Sequence, residues 1–503
     1  NVGVPGENWQ EMFGSIKQAS SYKWWTFGAV AVGTFASVVD HGSVSVALPL
    51  MARHFNTVIP TAQWIVIGYA LAISALLLPM GRLADLFGLK RVYLLGSLVY
   101  ILGAIAAGAS TNLTVLILSR LVQGGGAAMT QGTGMAIVIA AFPESERGKA
   151  VGSMMSIVGI GAIFGPAAGG FLVDALGWRS VFFANIPPMA IGIALGLAIL
   201  VNRVEGGETG RGSGFDWLGA ALSTGALLIL LLTITNGHRA GWTSPPILLA
   251  TLVFLILLGT FIWWERRCSS PMLELKFFQR PNFSFAVAAG FLIFLGSSAV
   301  LFLTPFYLQR VLGFSPREAG LVVVPGAICM AFLGPISGRL SDRFGWRRFT
   351  VGGLILSATG ILILSTVTPN SSLFPVMPAL ILLSCGMGVF YSPNVSAVLS
   401  AVEREKYGAV VAFLNLVRNA GNVASVAIAT AIVTTTMAAW GYQPSLEAVQ
   451  AGGPGGVGRA FTAGLHNAYL IMAGLLFLAI LLSVFKFAVI DEPEPVAETA
   501  PGD

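Results

Sequence analysis

Fourteen apolar runs, separated by short charged or turn-forming stretches, occupy most of this 503-residue chain. They fall near 24–48, 60–80, 92–109, 113–142, 150–173, 180–201, 216–236, 245–264, 283–308, 318–338, 349–368, 373–400, 408–438 and 466–489. A helix needs about 20 apolar residues to cross the hydrocarbon of a bilayer. Only helices close their backbone hydrogen bonds within one segment in lipid, and runs this long are not the alternating ten-residue strands of a membrane barrel. The expected fold is therefore an all-α integral membrane protein with fourteen transmembrane helices. The charge content agrees: 10% of residues are charged and 55% hydrophobic, against roughly 25% charged in a soluble domain.

The runs are organised by a duplication. GRLADLFGLKR at 81–91 and GRLSDRFGWRR at 338–348 lie 257 residues apart and share glycine, arginine, leucine, aspartate, phenylalanine and paired basic residues. Both are read as short charged loops between spanning helices. The chain divides accordingly into a tail at 1–22, a six-helix bundle at 23–201, a linker with two extra helices at 202–282, a second six-helix bundle at 283–490 and a tail at 491–503. Two similar halves rocking about a central site are a common basis of transport by alternating access.

Orientation follows from the basic residues, which stay in cytoplasmic segments during insertion. Of 28 lysines and arginines, 20 fall on the amino-terminal side of these spans and 6 on the other, with Arg120 and Arg418 left inside helices. Both termini are expected in the cytoplasm, in a multi-pass plasma-membrane protein that acts as a monomer. The net charge of +6 reads as a topology signal against anionic lipid, and no nucleic-acid partner is indicated. Cys268, Cys329 and Cys385, and His41, His54, His238 and His466, show no metal-ligand spacing. No nucleotide loop or nucleophile with its base is present either, so neither an enzyme nor a bound cofactor is expected. The segment 437–465, with glycines from Gly452 to Gly456, reads as a solvated loop.

Ionisable residues inside spans are candidates for function by default. Asp40 is the acid deep in the first bundle, 8 residues before Leu48, and Arg120 lies 7 residues after Leu113 on a helix running the other way. At 1.5 Å per residue both stand about 10 to 12 Å from the same membrane face, so they can meet. Arg120 shares a stripe with Gly124, Ala128, Gly132 and Ala136, and small residues mark close helix contact. Two readings of the pair stand: a carboxylate that gains and loses a proton as access switches, and a permanent structural ion pair. The low stabilising value of buried pairs favours the first. His41 is read as a neutral histidine facing lipid or core.

In the thirteenth run Asn415, Arg418, Asn419, Asn422 and Ser425 form a stripe too polar for lipid, expected to line a central cavity with Gln123. Arg418 meets either an anionic or polar group of a substrate, or helix ends and water. Trp64, Tyr69, Tyr307, Tyr391 and Asn394 are added as cavity candidates. One embedded acid and two embedded arginines suit amphiphilic or weakly anionic cargo better than multiply charged cations.

The paired stretches carry Gly81, Arg82, Asp85, Gly88, Lys90 and Arg91 in the first half, and Gly338, Arg339, Asp342, Gly345, Arg347 and Arg348 in the second. Their glycines permit tight turns and their aspartates can bond a helix terminus, which suits an inner gate. Gly161, Gly165 and Gly169 form a smooth ridge beside Pro166, whose ring favours a kink.

Taken together, Gly81-x-Leu83-Ala84-Asp85-x-x-Gly88 with its basic pair, Arg120-x-x-Gln123-Gly124, and Gly165-Pro166 followed by Gly169-Gly170 resemble the major facilitator superfamily, specifically its fourteen-helix drug:proton antiporter branch, over nearly the whole chain. The resemblance implies a proton-coupled multidrug exporter, tied to antibiotic resistance, that moves lipophilic small molecules by alternating access on the proton gradient alone. Asp40 and Arg120 would carry the proton, and the 161–170 ridge would be the antiporter motif. Export of lipid or fatty acid on the same fold is the runner-up, and a non-transporting receptor the alternative from another class. The chain departs from the family pattern after Asp40, where Gly42, Ser43, Val44 and Ser45 replace its usual polar residues, and Ser425 and Val426 stand where Gly165 and Pro166 would map.

Overall fold

The computed structural model describes residues 21–143, 146–201, 216–241, 243–268, 275–403, 407–442 and 456–485. Most of both tails, the linker at 202–215 and the glycines from Gly452 to Gly455 lie outside the described residues. Among the described residues fourteen helices carry the fold: α1 (Tyr22–His54), α2 (Trp64–Phe87), α3 (Leu89–Gly108), α4 (Leu113–Ala141), α5 (Arg147–Leu176), α6 (Ile186–Ile199), α7 (Trp217–Ala240), α8 (Pro245–Glu265), α9 (Pro281–Phe306), α10 (Pro316–Phe344), α11 (Trp346–Ser365), α12 (Leu373–Leu399), α13 (Tyr407–Ala439) and α14 (Gly456–Phe485). Among the described residues, 13 helical segments are long and apolar enough to cross a membrane, and α2 contributes the shorter apolar stretch Trp64–Leu77. No strand occurs among them.

Helix starts are written in the sequence. Asn112 accepts from the Val115 amide at 2.9 Å. Ser315 and Glu318 form a reciprocal capping box, at 3.2 and 2.8 Å, with Pro316 opening the helix. Such caps satisfy amides that a helix leaves unpaired.

The packing repeats itself. In the first half α1 rests on α4, α5 and α6, and α4 on α2 and α3; in the second, α9 rests on α12, α13 and α14, and α12 on α10 and α11. The halves meet through α5 against α10 and α2 against α13, two contacts related by exchanging the halves. The inserted pair breaks that symmetry. α7 packs on both α2 and α13, its Thr224 hydroxyl donating to the Ala75 carbonyl at 2.9 Å, while α8 touches α7 and leaves most of its surface outward. Asp216 caps α7 through the Gly219 amide (2.8 Å) and accepts from the Trp264 indole of α8 (2.7 Å), which pins the pair together.

The paired charged stretches are not loops. GRLADLF continues α2 to Phe87 and GRLSDRF continues α10 to Phe344, so each connection shrinks to one residue, Gly88 or Gly345. Their φ angles of +91° and +85° lie where a Cβ is disfavoured and glycine is the default. In the second stretch Arg339 and Arg343 are exposed at the end of α10, where charged side chains reach water without breaking the backbone ladder.

The side of the molecule at the start of α1 is called the near side, and the opposite face the far side. The far side is closed between the halves. Beyond α9 the chain makes one wider, π-helical turn, Tyr307–Val311. From it the Gln309 amide donates to the Val46 carbonyl (2.9 Å) and the Arg310 guanidinium to the Pro49 carbonyl (2.6 Å) of α1.

Candidate functional site

Midway along α1, Asp40 is fully enclosed, as is Arg120 of α4. The guanidinium Nη1 lies 2.7 Å from Asp40 Oδ2 and 2.7 Å from Gln123 Oε1, and Nε donates to the Ile65 carbonyl of α2 at 3.0 Å. Its face lies over the Tyr69 ring, 4.2 Å from the centroid. The other carboxylate oxygen, Oδ1, accepts from Gln123 Nε2 at 3.2 Å and from Asn185 Nδ2 at 3.0 Å. Three segments of one half, α1, α4 and the start of α6, thus meet at a single carboxylate, with α2 holding the guanidinium from behind. Charge burial of this depth is tolerated only when nearly every lone pair and proton finds a partner.

The small-residue stripe explains how a guanidinium fits there. A Cβ on Gly124 would press on Ala72 of α2 at 2.9 Å, and one on Gly132 would stand 3.2 Å from the Leu77 carbonyl and the Gly81 amide. Gly103 of α3 likewise admits the Gln123 backbone, which a Cβ would meet at 2.6 Å. The bare surfaces let α2, α3 and α4 approach closely enough for Arg120 to reach carbonyl, amide and carboxylate at once.

The glycine ridge of α5 clamps α1 on the other flank of Asp40. A Cβ on Gly161 would meet Val38 at 3.0 Å, one on Gly165 the Val39 carbonyl at 3.0 Å, and one on Gly169 would drive into Ser43. The Ser43 hydroxyl donates to the Gly165 carbonyl at 3.0 Å. Gly170 instead faces the other half, where a Cβ would stand 2.6 Å from the Pro316 carbonyl, and Pro166 approaches Gly320. One ridge therefore touches both the helix that bears Asp40 and the helix across the interface. In the second half the equivalent contact is polar: Ser425 of α13 accepts from the Ala299 amide of α9 at 2.9 Å.

His41 does not pack into the core. It is exposed, on a helix whose other faces pack against α4, α5 and α6. On α13, Leu416 packs against the cluster that holds Tyr69; Asn415, Arg418 and Asn422 are half-buried and Asn419 is buried. Asn422 accepts from Ser298 of α9, a tie within the second half.

The remaining candidates scatter. Tyr391 stacks edge-on with Phe294 at 6.0 Å, and Asn394 lies against Gly290, both between α12 and α9. Trp64 packs into the large apolar core at the far-side start of α2. Tyr307 leaves the site altogether: it is buried at the far end, its hydroxyl donating to the Thr368 carbonyl at 2.8 Å. Of the expected gate residues, Lys90 bonds the Leu197 and Leu200 carbonyls at 2.9 and 2.6 Å, capping α6 of its own half. The side chains of Arg82, Asp85 and Asp342 lie outside the described residues, and Arg91, Arg339 and Arg348 are exposed.

Two contributors escape sequence reasoning. Asn185 is 2% exposed and is the one amide in the run 180–201, a signal as plain as a lone acid. Ser37 bonds the Tyr69 hydroxyl (2.8 Å) and accepts from Gln131 (3.2 Å), a polar rail two turns long on the near side of the pair.

The chain matches the Major Facilitator Superfamily over residues 30–426. It is 33% identical to multidrug resistance protein Stp of Mycobacterium tuberculosis over 426 residues, covering 84% of this chain and 78% of that one. It is 30% identical to riboflavin transporter RibZ of Clostridioides difficile over 464 residues, covering 92% and 97%. Among solved structures it superposes on a bacterial homolog of the human lysosomal transporter Spinster with a TM-score of 0.66 at 17% identity, covering 95% of this chain and 100% of that one. With fourteen helices in two packed halves and a sequence match across most of its length, this chain belongs to the major facilitator superfamily of membrane transporters.

Proposed function

We propose that this protein is a proton-coupled exporter of lipophilic or amphiphilic small molecules, drugs among them, working by alternating access in the plasma membrane with both termini in the cytoplasm. The near side is then cytoplasmic, in keeping with its excess of basic residues. The relatives that carry multidrug resistance or riboflavin transport in their names support a small organic cargo.

The observation that carries the coupling is the carboxylate of Asp40 held by three donors, from Arg120, Gln123 and Asn185. A carboxylate only accepts; once protonated it must donate from one oxygen and so loses part of this set. Arg120 keeps its bonds to Ile65 and Gln123 and its seat on Tyr69, so the guanidinium does not follow the proton. Protonation from the far side thus loosens α1 from α4 and α6, and α5, clamped to α1 and pressed on α10, transmits the change to the other half. Release of the proton to the cytoplasm restores the network. The order suits exchange of one inward proton for outward cargo.

The test is dye-like drugs and labelled lipids in vesicles with and without a pH gradient. Asp40→Asn should lose gradient-driven efflux yet still let cargo equilibrate down its own gradient. Undiminished gradient-driven efflux by that variant rejects the coupling, and movement of labelled lipid alone reassigns the cargo.

A further inference from the structure

We propose that Arg418 anchors the negatively charged group of the cargo, so that the protein selects amphiphiles bearing one anionic group, such as a carboxylate. The inference rests on the export reading and names its cargo. Arg418 lies 11 residues into α13, about 16 Å from its start at 1.5 Å per residue, where a permanent charge is costly unless paired or wet. Among the described residues it has no ion pair or hydrogen bond. None of the helices α9 and α11 to α14 contains an acid, and Glu318 and Asp342 sit at opposite ends of α10.

Across the interface the nearest acid is already committed. Asp40 accepts from three donors, and turning it toward Arg418 would strand Arg120. Unused donors stand on α13 itself: Asn419 Nδ2 is buried without a partner, and the neighbouring Arg418 brings a whole guanidinium. A surplus of donors with no acceptor calls for an acceptor-rich guest. Leu416, two residues before Arg418, packs against the first-half cluster that holds Ala36 and Tyr69, so Arg418 stands on the part of α13 that borders the interface between the halves. An apolar wall adjoins the anchor: Phe294 of α9, against which Gly421 of α13 closes, carries the Tyr391 ring. A cation placed there would meet Arg418 unscreened.

The test uses purified protein in lipid nanodiscs and three radiolabelled probes of one shape: naphthalene-1-acetate, its methyl ester, and 1-naphthylmethylamine. The anion should bind about tenfold or more tightly than the ester, the gain of a charge-assisted contact. Arg418→Gln should cut that ratio about tenfold and Arg418→Lys should retain most of it. Asn419→Asp, which supplies an internal counter-charge beside Arg418, should lower the ratio without removing the arginine, and serves where Arg418→Gln does not fold. Equal binding of the three probes, preference for the amine, or a ratio indifferent to Arg418→Gln and Asn419→Asp would overturn the assignment. Parallel vesicle transport separates the two readings. Selective, Arg418-dependent binding with no transport leaves the anchor standing and rejects export, whereas efflux of the ester or amine at full rate without anion preference does the reverse.

Discussion

Asn185 Nδ2 lies 3.0 Å from Asp40 Oδ1, which ties the short sixth helix to the centre of the first. The same amide group donates to the Val181 carbonyl at 2.8 Å, so its orientation is set before the carboxylate arrives. Asn185→Ala leaves Oδ1 with Gln123 alone, at 3.2 Å. The expected outcome is about 1 to 3 kcal/mol of lost stability, the usual range for a buried group deprived of its partner, together with slowed gradient-driven efflux. Thermal unfolding in detergent and vesicle transport check the two parts. Efflux at the wild-type rate removes Asn185 from the coupling network.

Arg120→Leu strands a buried carboxylate, a change that typically costs about 3 to 5 kcal/mol. Adding Asp40→Asn should recover much of that loss, because the double variant buries no charge. Unfolding midpoints of the two single variants and the double one form the cycle. A double variant no more stable than Arg120→Leu would mean that the arginine stabilises the fold through Ile65 and Tyr69, independently of the acid.

Part of this network was legible in the residues. Counting from span ends put Asp40 and Arg120 at one height because helices have a fixed rise. The stripe through Gly124 and Gly132 marked a close contact because bare backbone has few other uses in a membrane. Asn185 went unremarked, since attention to charge passes over a neutral amide, and Tyr307 was misplaced because an aromatic near a span end gives no sign of the carbonyl it will bond. The charged stretches around Asp85 and Asp342 read as loops because polarity was taken for irregularity, whereas a helix end tolerates charge and only Gly88 and Gly345 require a turn. Which face His41 presents depends on how two halves come together, and that is a long-range fact no local pattern carries.

Glycine positions offer a paired comparison. In a helix alanine ordinarily outranks glycine by about 1 kcal/mol, and Gly259 on α8 has nothing within 4 Å of its would-be Cβ. Gly259→Ala should therefore leave stability unchanged or raise it slightly. Gly169→Ala forces its methyl into Ser43, whose Cβ lies at 2.8 Å, and should reduce both stability and transport by prising α5 from α1. Equal effects from the two substitutions would show that the ridge is not a contact surface.

The bonds from Gln309 to Val46 and from Arg310 to Pro49 hold the far side shut. Arg310→Ala, with or without Gln309→Ala, should raise the rate at which a thiol introduced as His41→Cys is labelled from outside, about tenfold or more at a bond strength of about 1.5 to 3 kcal/mol for a charged donor. The measurement uses a membrane-impermeant maleimide on protein whose Cys268, Cys329 and Cys385 have been replaced. Labelling no faster than in the parent would assign the seal to the apolar core around it.

The placement of α7 has a mechanical consequence. Because it leans on α2 and α13, one from each half, any movement of the halves against each other must shear at least one of those contacts, while the opposite seam, where α5 meets α10, is closed by direct helix packing. The two seams of an otherwise two-fold arrangement are thereby made unequal: one is buttressed by an inserted helix, whereas the other is held by bare backbone, glycine against proline, on the ridge that also grips the first helix.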